Sequence, residues 1–306
     1  MNPLRSLLAL LVFPGLLYAL PMGWLMLGME RKLRARFQGR IGPPLSQPFY
    51  DVVKLLAKWP VPRVVADKWL LAGLPLLAVG SMMGALTLLP VFAGESGFPG
   101  DLILLVGLLE MPPLCMILAG YASRSIYGEV GATREAIISI ASNVPLLAAL
   151  VALATAANSM HLSEIAVATP WTVRIPALLA ILFCLPVKLR LNPFSLANAE
   201  QEILAGPLTE FDGPLLALWE LAHALEWVAL TGFAATLMFP VRSGLWFVDA
   251  LVFVLLSLIL VPLLTLLASA TARLKIAQAT RLLWRWGSVI AAVALATALL
   301  VRHGGH

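Results

Sequence analysis

Eight long apolar runs, separated by charged loops, constrain what this 306-residue chain can fold into. A helix needs about 20 mostly apolar residues to cross the hydrocarbon core of a bilayer, so each run predicts one transmembrane helix. The predicted spans are residues 4–28, 68–93, 100–122, 136–157, 171–187, 215–239, 244–271 and 284–301. Only 12% of the residues are charged, about half the share of a typical soluble domain. The sequence therefore predicts an all-α membrane helix bundle, a single integral membrane domain over residues 1–306.

The distribution of basic residues predicts which side of the membrane each loop occupies. Of the 21 Lys and Arg residues, 17 lie in or beside the loops after spans one, three, five and seven. These loops cover residues 29–67, 123–135, 188–214 and 272–283. By the positive-inside rule they are cytoplasmic, so we expect both termini outside a plasma (inner) membrane. The basic charge reflects topology, and we expect no nucleic-acid binding.

One segment of the first loop has the pattern of an amphipathic helix. Phe49, Val52, Val53 and Leu56 follow helical spacing, and Pro48 suits a helix start. We interpret residues 48–58 as a helix that lies on the membrane surface or against a partner.

The chain lacks the sequence motifs of a redox or nucleotide-binding protein. Its two cysteines, Cys115 and Cys184, both lie in apolar runs, whereas an iron–sulfur cluster normally needs four thiolates. There is no CxxC, GxGxxG, P-loop or HExxH motif. We therefore expect this chain to bind no metal or cofactor itself.

An acidic residue lies near the middle of the third span. Glu110 is about 15 Å into that span at 1.5 Å per residue, where an unpaired charge costs several kcal/mol. Pro112 and Pro113 follow and remove two backbone donors, which predicts a kink or break. Glu110 is either part of a hydrated ion path or a protonated, hydrogen-bonded packing residue.

The sixth span carries three ionisable residues on one helix face. Glu220, His223 and Glu226 fall within a 120° arc at 100° per residue. They could hold and pass protons, or form a polar seam that packs against another subunit.

The loop between spans five and six is rich in acidic residues. Glu200, Glu202, Glu210 and Asp212 lie within 13 residues, with Lys188 and Arg190 just upstream. Mutual repulsion and partial burial would bring such carboxyl groups toward protonation near neutral pH. The alternative is a solvated acidic loop.

Three cytoplasmic segments resemble a known family. The first is ERKLRARFQGRIGPP (residues 30–44), followed by residues 47–56. The second is AGYASRSIYGEVGATRE (residues 119–135), and the third is NPFSLANAEQEILAGPLTEFDG (residues 192–213). They resemble the heel of complex I, the H-type subunit of NADH:quinone oxidoreductase, which joins the redox arm to the ion-pumping arm. The short linker of Pro44, Leu45 and Ser46 is similar to the branch in energy-converting [NiFe] hydrogenases and formate hydrogenlyases.

The chain also departs from the family pattern at three carboxylates. Ser195 stands where the family usually has Asp, and Asn198 and Asn143 stand where it often has Glu. These departures put in doubt a direct transfer of a quinone-coupled mechanism.

The resemblance implies a complex I-like subunit that helps couple electron transfer to H⁺ or Na⁺ movement. Partner subunits would hold the [NiFe] and Fe–S centres, and antiporter-like membrane subunits would pump. The alternatives are a quinone-chamber subunit and, from another class, a stand-alone secondary transporter. The residues expected to dock the redox arm are Arg34, Arg36, Arg40, Asp51, Lys54 and Arg134. The residues expected to line the ion path are Glu110, Glu129, Glu135, Glu200, Glu202, Glu210, Asp212, Glu220, His223 and Glu226.

Overall fold

The fold is a bundle of long helices. A computed structural model describes residues 13, 15–59, 68–91, 100–197, 204–239 and 245–304, and these ranges contain helices and turns but no strand. The α-helices are α1 (Leu16–Phe37), α2 (Gln47–Leu56), α3 (Lys68–Thr87), α4 (Asp101–Ala122), α5 (Ile126–Ala157), α6 (Leu162–Ala168), α7 (Trp171–Lys188), α8 (Gly213–Met238), α9 (Trp246–Ala270), α10 (Ile276–Leu282) and α11 (Ser288–Gly304). A 3₁₀ turn covers Gly206–Glu210, and a π-helical turn at Leu283–Gly287 joins α10 to α11.

The predicted polytopic helix bundle is confirmed. Within the described ranges, seven stretches are long and apolar enough to cross a membrane: α3, α4, α5, α7, α8, α9 and the continuous helix from α10 through α11. The 22-residue α1 packs against α8 and α9, and its last turns carry a cluster of basic residues. Together they match the expected count of about eight.

Three of the predicted cytoplasmic loops are shorter than expected, because the helices extend beyond the apolar runs. Helix α1 continues to Phe37, α5 begins at Ile126 and α10 begins at Ile276. Much of 29–67, 123–135 and 272–283 is therefore helical. Lys, Arg, Glu and Ala are good helix formers, so charge ends the apolar run without ending the helix. This places Glu135 within a helix instead of a loop.

The predicted break at Pro112 and Pro113 does not occur. Helix α4 runs without interruption from Asp101 to Ala122, and both prolines are buried within it. A proline ring can be accommodated in a membrane helix when packing and neighbouring helices compensate for the lost hydrogen bond. Of the two outcomes predicted for these prolines, a kink or a break, the break was wrong.

Helix α8 is the centre of the bundle. It packs against α1, α2, α3, α7 and α9, and Trp227 and Phe233 are its largest fully buried side chains. The amphipathic helix predicted at 48–58 is found as α2, where Val52 is buried and Phe49 and Val53 are exposed. Its apolar face is therefore free to meet lipid or another protein.

A glycine allows α1 to cross α8 at close range. A Cβ atom added to Gly23 would lie 2.5 Å from the carbonyl oxygen of Ala224, whereas at Gly73 in α3 it would meet nothing within 4 Å. We expect Gly23→Ala to destabilise the bundle by about 1–3 kcal/mol through overpacking. The matched Gly73→Ala variant should be neutral or slightly stabilising, because alanine is the better helix former. Thermal unfolding in mild detergent measures both, and equal midpoints would contradict this packing.

Candidate functional site

The polar face of α8 runs through the middle of an otherwise apolar bundle. Glu220 and Glu226 are six residues apart, about 9 Å along the helix. Glu220 is one-third exposed, whereas Glu226 is 1% exposed. The face therefore leads from the edge of the protein to its interior.

A buried arginine lies between two carboxylates at the inner end of this face. Arg190 Nη2 pairs with Glu226 Oε2, and Arg190 Nη1 lies 3.7 Å from Glu135 Oε1. His223 Nδ1 lies 3.1 Å from the same Glu226 oxygen. We call Arg190, Glu226, Glu135 and His223 the arginine cluster. An arginine can serve two carboxylates at once because its planar fork carries five donors.

A tight turn at the end of α7 directs Arg190 inward. Its φ is +54°, a left-handed conformation for a residue with a side chain. The turn is closed by hydrogen bonds from Arg190 N to Val187 O (3.0 Å) and from Leu191 N to Pro186 O (2.8 Å). A left-handed residue of this kind costs about 1–2 kcal/mol.

A second buried cation lies two residues earlier. Lys188 Nζ is 2.5 Å from Glu110 Oε1 and also donates to Asn143 Oδ1. The Asn143 amide donates back to Glu110 Oε2 at 3.1 Å. We call these three residues the lysine cluster. Its lysine side chain is only 3% exposed, so the Lys188 charge depends on Glu110 and Asn143 for its hydrogen bonds.

The two clusters interact electrostatically. The charges of Arg190, Lys188 and Glu110 all act on the Glu135 carboxyl group. Together the clusters hold three carboxylates (Glu110, Glu135 and Glu226) but only two permanent cations. With all of them ionised, one carboxylate lacks a full counter-charge. The two clusters together therefore hold one more carboxylate than permanent cations.

A third group of polar contacts lies toward the protein surface. Arg31 of α1 donates to Asp51 Oδ2 of α2 at 2.6 Å, and its other terminal nitrogen lies 3.9 Å from Glu220 Oε2. Gln47 holds the second Asp51 oxygen at 2.9 Å. A single arginine thus connects the amphipathic helix α2 with the polar face of α8.

This surface group predicts a pH effect. Burial raises the pKa of Asp51, but hydrogen bonds from Arg31 and Gln47 outweigh this effect and lower the pKa below its usual value. The resulting stability is present above the unfolded-state pKa of about 4 and is lost as the pH falls through the lower folded-state value. We expect Asp51→Asn to reduce the acid-induced fall in unfolding temperature between pH 6 and pH 3. The exposed control Glu129→Gln should behave as wild type, and an unchanged Asp51→Asn profile would contradict the contact.

A cavity lies on the far side of the lysine cluster. It is small and lies between α4, α5, α7 and α8. Apolar side chains line it, apart from Glu110 and Lys188. The ion pair therefore borders space inside the bundle.

The structure describes most of the other predicted residues, which lie outside the two clusters as defined above. Glu129 is exposed on α5, Glu210 is half-buried in the 3₁₀ turn, and Asp212 precedes α8. Glu200 and Glu202, with Asn198, lie outside the described residues. Of the residues predicted for docking, Arg34 pairs with Glu30, Arg134 is half-buried, and Arg36, Arg40 and Lys54 are exposed.

Sequence reasoning missed the two cations that organise the site. Lys188 and Arg190 were assigned to the neighbourhood of the acidic loop, but they pair with Glu110, Glu226 and Glu135 in the helices. A charge balance indicates that such cations are needed, because carboxylates inside a membrane need partners. It does not single out these two, because many basic residues lie near the ends of the predicted spans.

Comparison with known proteins shows which family the chain belongs to. The profile of the family described as NADH dehydrogenase matches residues 8–299. The chain belongs to this family. Hydrogenase-4 component C of Escherichia coli (strain K12) is 32% identical over 220 residues, which cover 70% of each chain. Formate hydrogenlyase subunit 4 of the same organism is 30% identical over 276 residues, 85% of this chain and 89% of the relative.

The quinone-linked branch of the NADH dehydrogenase family is also similar. The H-type subunit of NADH-quinone oxidoreductase from Burkholderia vietnamiensis (strain G4 / LMG 22486) is 28% identical over 231 residues, 68% of this chain and 65% of the relative. Among solved structures, a chain of the membrane-bound sulfane sulfur reductase, an archaeal respiratory membrane complex, superposes with a TM-score of 0.86. It is 27% identical, and the match covers 96% of this chain and 98% of that one. The chain is thus a multi-pass membrane member of the family, similar to hydrogenase and formate hydrogenlyase subunits.

Proposed function

We propose that this chain is the membrane subunit of an energy-converting hydrogenase or formate-hydrogenlyase-type complex. It docks a redox arm and couples the electron transfer of that arm to H⁺ or Na⁺ translocation. Family membership supports a subunit role, and the two hydrogenase-type relatives support the branch.

The observation that carries the proposal is a row of three charged groups between Asp51 and Glu110. Asp51, Arg31 and Glu220 form the surface group, the arginine cluster is the second and the lysine cluster is the third. Glu220 shares a face of α8 with His223 and Glu226, and Lys188 and Glu110 act electrostatically on Glu135. Charged groups inside a membrane protein are rare and mark ion or proton pathways. A passive anchor has no need of them, because buried ion pairs contribute little net stability compared with apolar packing.

The chemistry that we infer is a shift of charge along this row. A redox change in the docked arm alters the potential at Arg31 and Asp51. The surplus carboxylate of the two clusters then takes up or releases a proton, and the cations rebalance between their partners. The low dielectric constant of the interior makes such a change felt over several ångströms.

Exposed arginines at the end of α1 indicate the kind of partner that we propose. The exposed Arg36 and Arg40 offer bidentate donors to carboxylates of a hydrophilic subunit. The [NiFe] and Fe–S centres would belong to such subunits. Antiporter-like membrane subunits would receive the charge change beyond the lysine cluster.

The orientation in the membrane is part of the proposal. Eight spans place both termini on one side, and the basic loops favour the cytoplasm, so the termini would lie outside. Cys115 and Cys184 are both buried, so single cysteines at position 58 or 303 can be labelled over a low background. A membrane-impermeant reagent should label position 303 in intact cells and position 58 only after permeabilisation; the reverse would overturn the orientation.

A mild-detergent pull-down with metal analysis tests the function. Nickel and iron that co-purify with the tagged chain would support the hydrogenase-type complex. Iron without nickel, together with retained quinone, would move the chain to the quinone-reducing branch. Isolation as a stable lone protein that transports ions in liposomes would contradict both and favour a secondary transporter.

A further inference from the structure

The fully buried Trp227 makes a contact that the ion pairs of the two clusters do not require. Its indole nitrogen lies 3.3 Å from His223 Nε2, one helical turn away on α8. On the other side of the imidazole ring, Nδ1 lies 3.1 Å from both Glu226 Oε2 and Arg190 Nη2. The indole N–H is only a donor, the carboxylate is only an acceptor and the guanidinium is only a donor. These fixed roles decide where the imidazole carries its proton.

A count of matched hydrogen-bond donors and acceptors around the ring favours one neutral tautomer. With the proton on Nδ1, His223 donates to Glu226 and accepts from Trp227, and only the Arg190 contact is mismatched. With the proton on Nε2, His223 accepts from Arg190, but two N–H groups face each other at Trp227 and a lone pair faces the Glu226 carboxylate. The doubly protonated ring keeps the Glu226 hydrogen bond and is attracted by Glu30, but it loses the Trp227 hydrogen bond and is repelled by the Arg190 cation. The Nδ1–H form makes the most hydrogen bonds with the fewest opposed groups.

We propose that Trp227 is a positioning residue that fixes His223 in the Nδ1–H tautomer and thereby holds it out of proton transfer. A neutral imidazole can pass its Nδ1 proton to Glu226 only if Nε2 gains another proton. The indole N–H occupies the Nε2 lone pair, so a proton can enter there only after Trp227 moves. When it does, the proton binds Nε2, the Nδ1 proton passes to Glu226 Oε2, and a neutral Nε2–H imidazole remains. Trp227 therefore prevents this proton transfer for as long as its indole N–H is bonded to Nε2.

The inference rests on the proposed function, because proton transfer by His223 matters only in a coupling subunit. Its test measures the protonation of the ring and does not require an active complex. The full chain, labelled with ¹⁵N in its histidine rings and placed in lipid, has only four histidines. Solid-state NMR separates protonated from unprotonated ring nitrogens, and His223→Gln assigns the signal. We expect the neutral form of His223 to carry its proton on Nδ1 in roughly tenfold excess, the effect of one retained hydrogen bond. If the ring is cationic at neutral pH, the pH is raised until the neutral form appears.

Two matched variants complete the test. Trp227→Phe keeps the ring but deletes the donor, and it should lower the Nδ1–H excess several-fold. Trp219→Phe deletes the indole N–H of another buried tryptophan on α8, one that has no partner among the described residues, and it should leave His223 unchanged. A neutral His223 protonated on Nε2 in the wild type, or equal spectra for wild type and Trp227→Phe, would overturn the inference. Either result would leave the proposed coupling role untouched, since that role is read from ion movement.

Discussion

Replacing Arg190 with glutamine should nearly abolish assembly of the protein. The substitution removes the only cation that contacts Glu226 and Glu135 among the described ion pairs, and both carboxylates are buried. Breaking a buried ion pair by deleting one partner costs about 3–5 kcal/mol, a large part of the stability of an ordinary protein. The amount of folded protein in membranes and its unfolding temperature in mild detergent measure the effect.

Two further variants make the Arg190 result specific. Arg124 also has a left-handed backbone, with φ of +53°, but its side chain is exposed. Arg124→Gln should therefore assemble normally. The double variant Arg190→Gln with Glu226→Gln should recover part of the stability, because it also removes one uncompensated charge. Full assembly of Arg190→Gln alone would contradict the assigned pairing.

Replacing Lys188 with methionine should separate electron transfer from ion movement. Methionine fills similar space but leaves Glu110 and Asn143 without their shared cation. Glu110 is one-quarter exposed, so the protein should tolerate the loss better than the loss of Arg190. A coupling free energy of about 1–3 kcal/mol corresponds to roughly 5–150-fold, and we expect ion uptake per electron to fall by roughly tenfold. Parallel assays of both rates in membrane vesicles measure this.

The controls for Lys188 separate charge from structure. Lys58→Met removes an exposed lysine after α2 and should leave the ratio unchanged. Lys188→Met combined with Glu110→Gln should restore stability without restoring ion uptake, because the pair is then neutral but cannot change charge. A normal ratio in Lys188→Met would remove the lysine cluster from the ion path.

The helices could be predicted from the sequence because hydropathy is a property of consecutive residues. The predicted span 171–187 corresponds to α7 (Trp171–Lys188), and 244–271 corresponds to α9 (Trp246–Ala270). The ends were less predictable where charged helix formers continue a helix past the apolar run. Glu135 illustrates this, since it was assigned to a loop and is fully buried in α5.

The pairings inside the bundle could not be read from the sequence. Glu226, Glu135 and Arg190 come from three separate segments of the chain, and only the packing of α5 and α8 around the turn after α7 brings them together. The one-face pattern of α8 was predicted, because it depends on spacing within a single helix. The sequence offered no measure of which basic residue enters the bundle, and the left-handed turn that directs Arg190 inward has no glycine to mark it.

The central claim is that the buried charges couple electron transfer to ion movement, and Glu135 tests it most directly. Glu135→Gln neutralises a fully buried carboxylate while Arg190 keeps its closer partner, Glu226. The measurement is the number of ions taken up per electron pair by liposomes that contain the whole complex. We predict that the variant transfers electrons at a rate near that of wild type, takes up few ions and no longer speeds up when an ionophore collapses the gradient. An unchanged ratio of ions to electrons, with the ionophore response intact, would contradict the account.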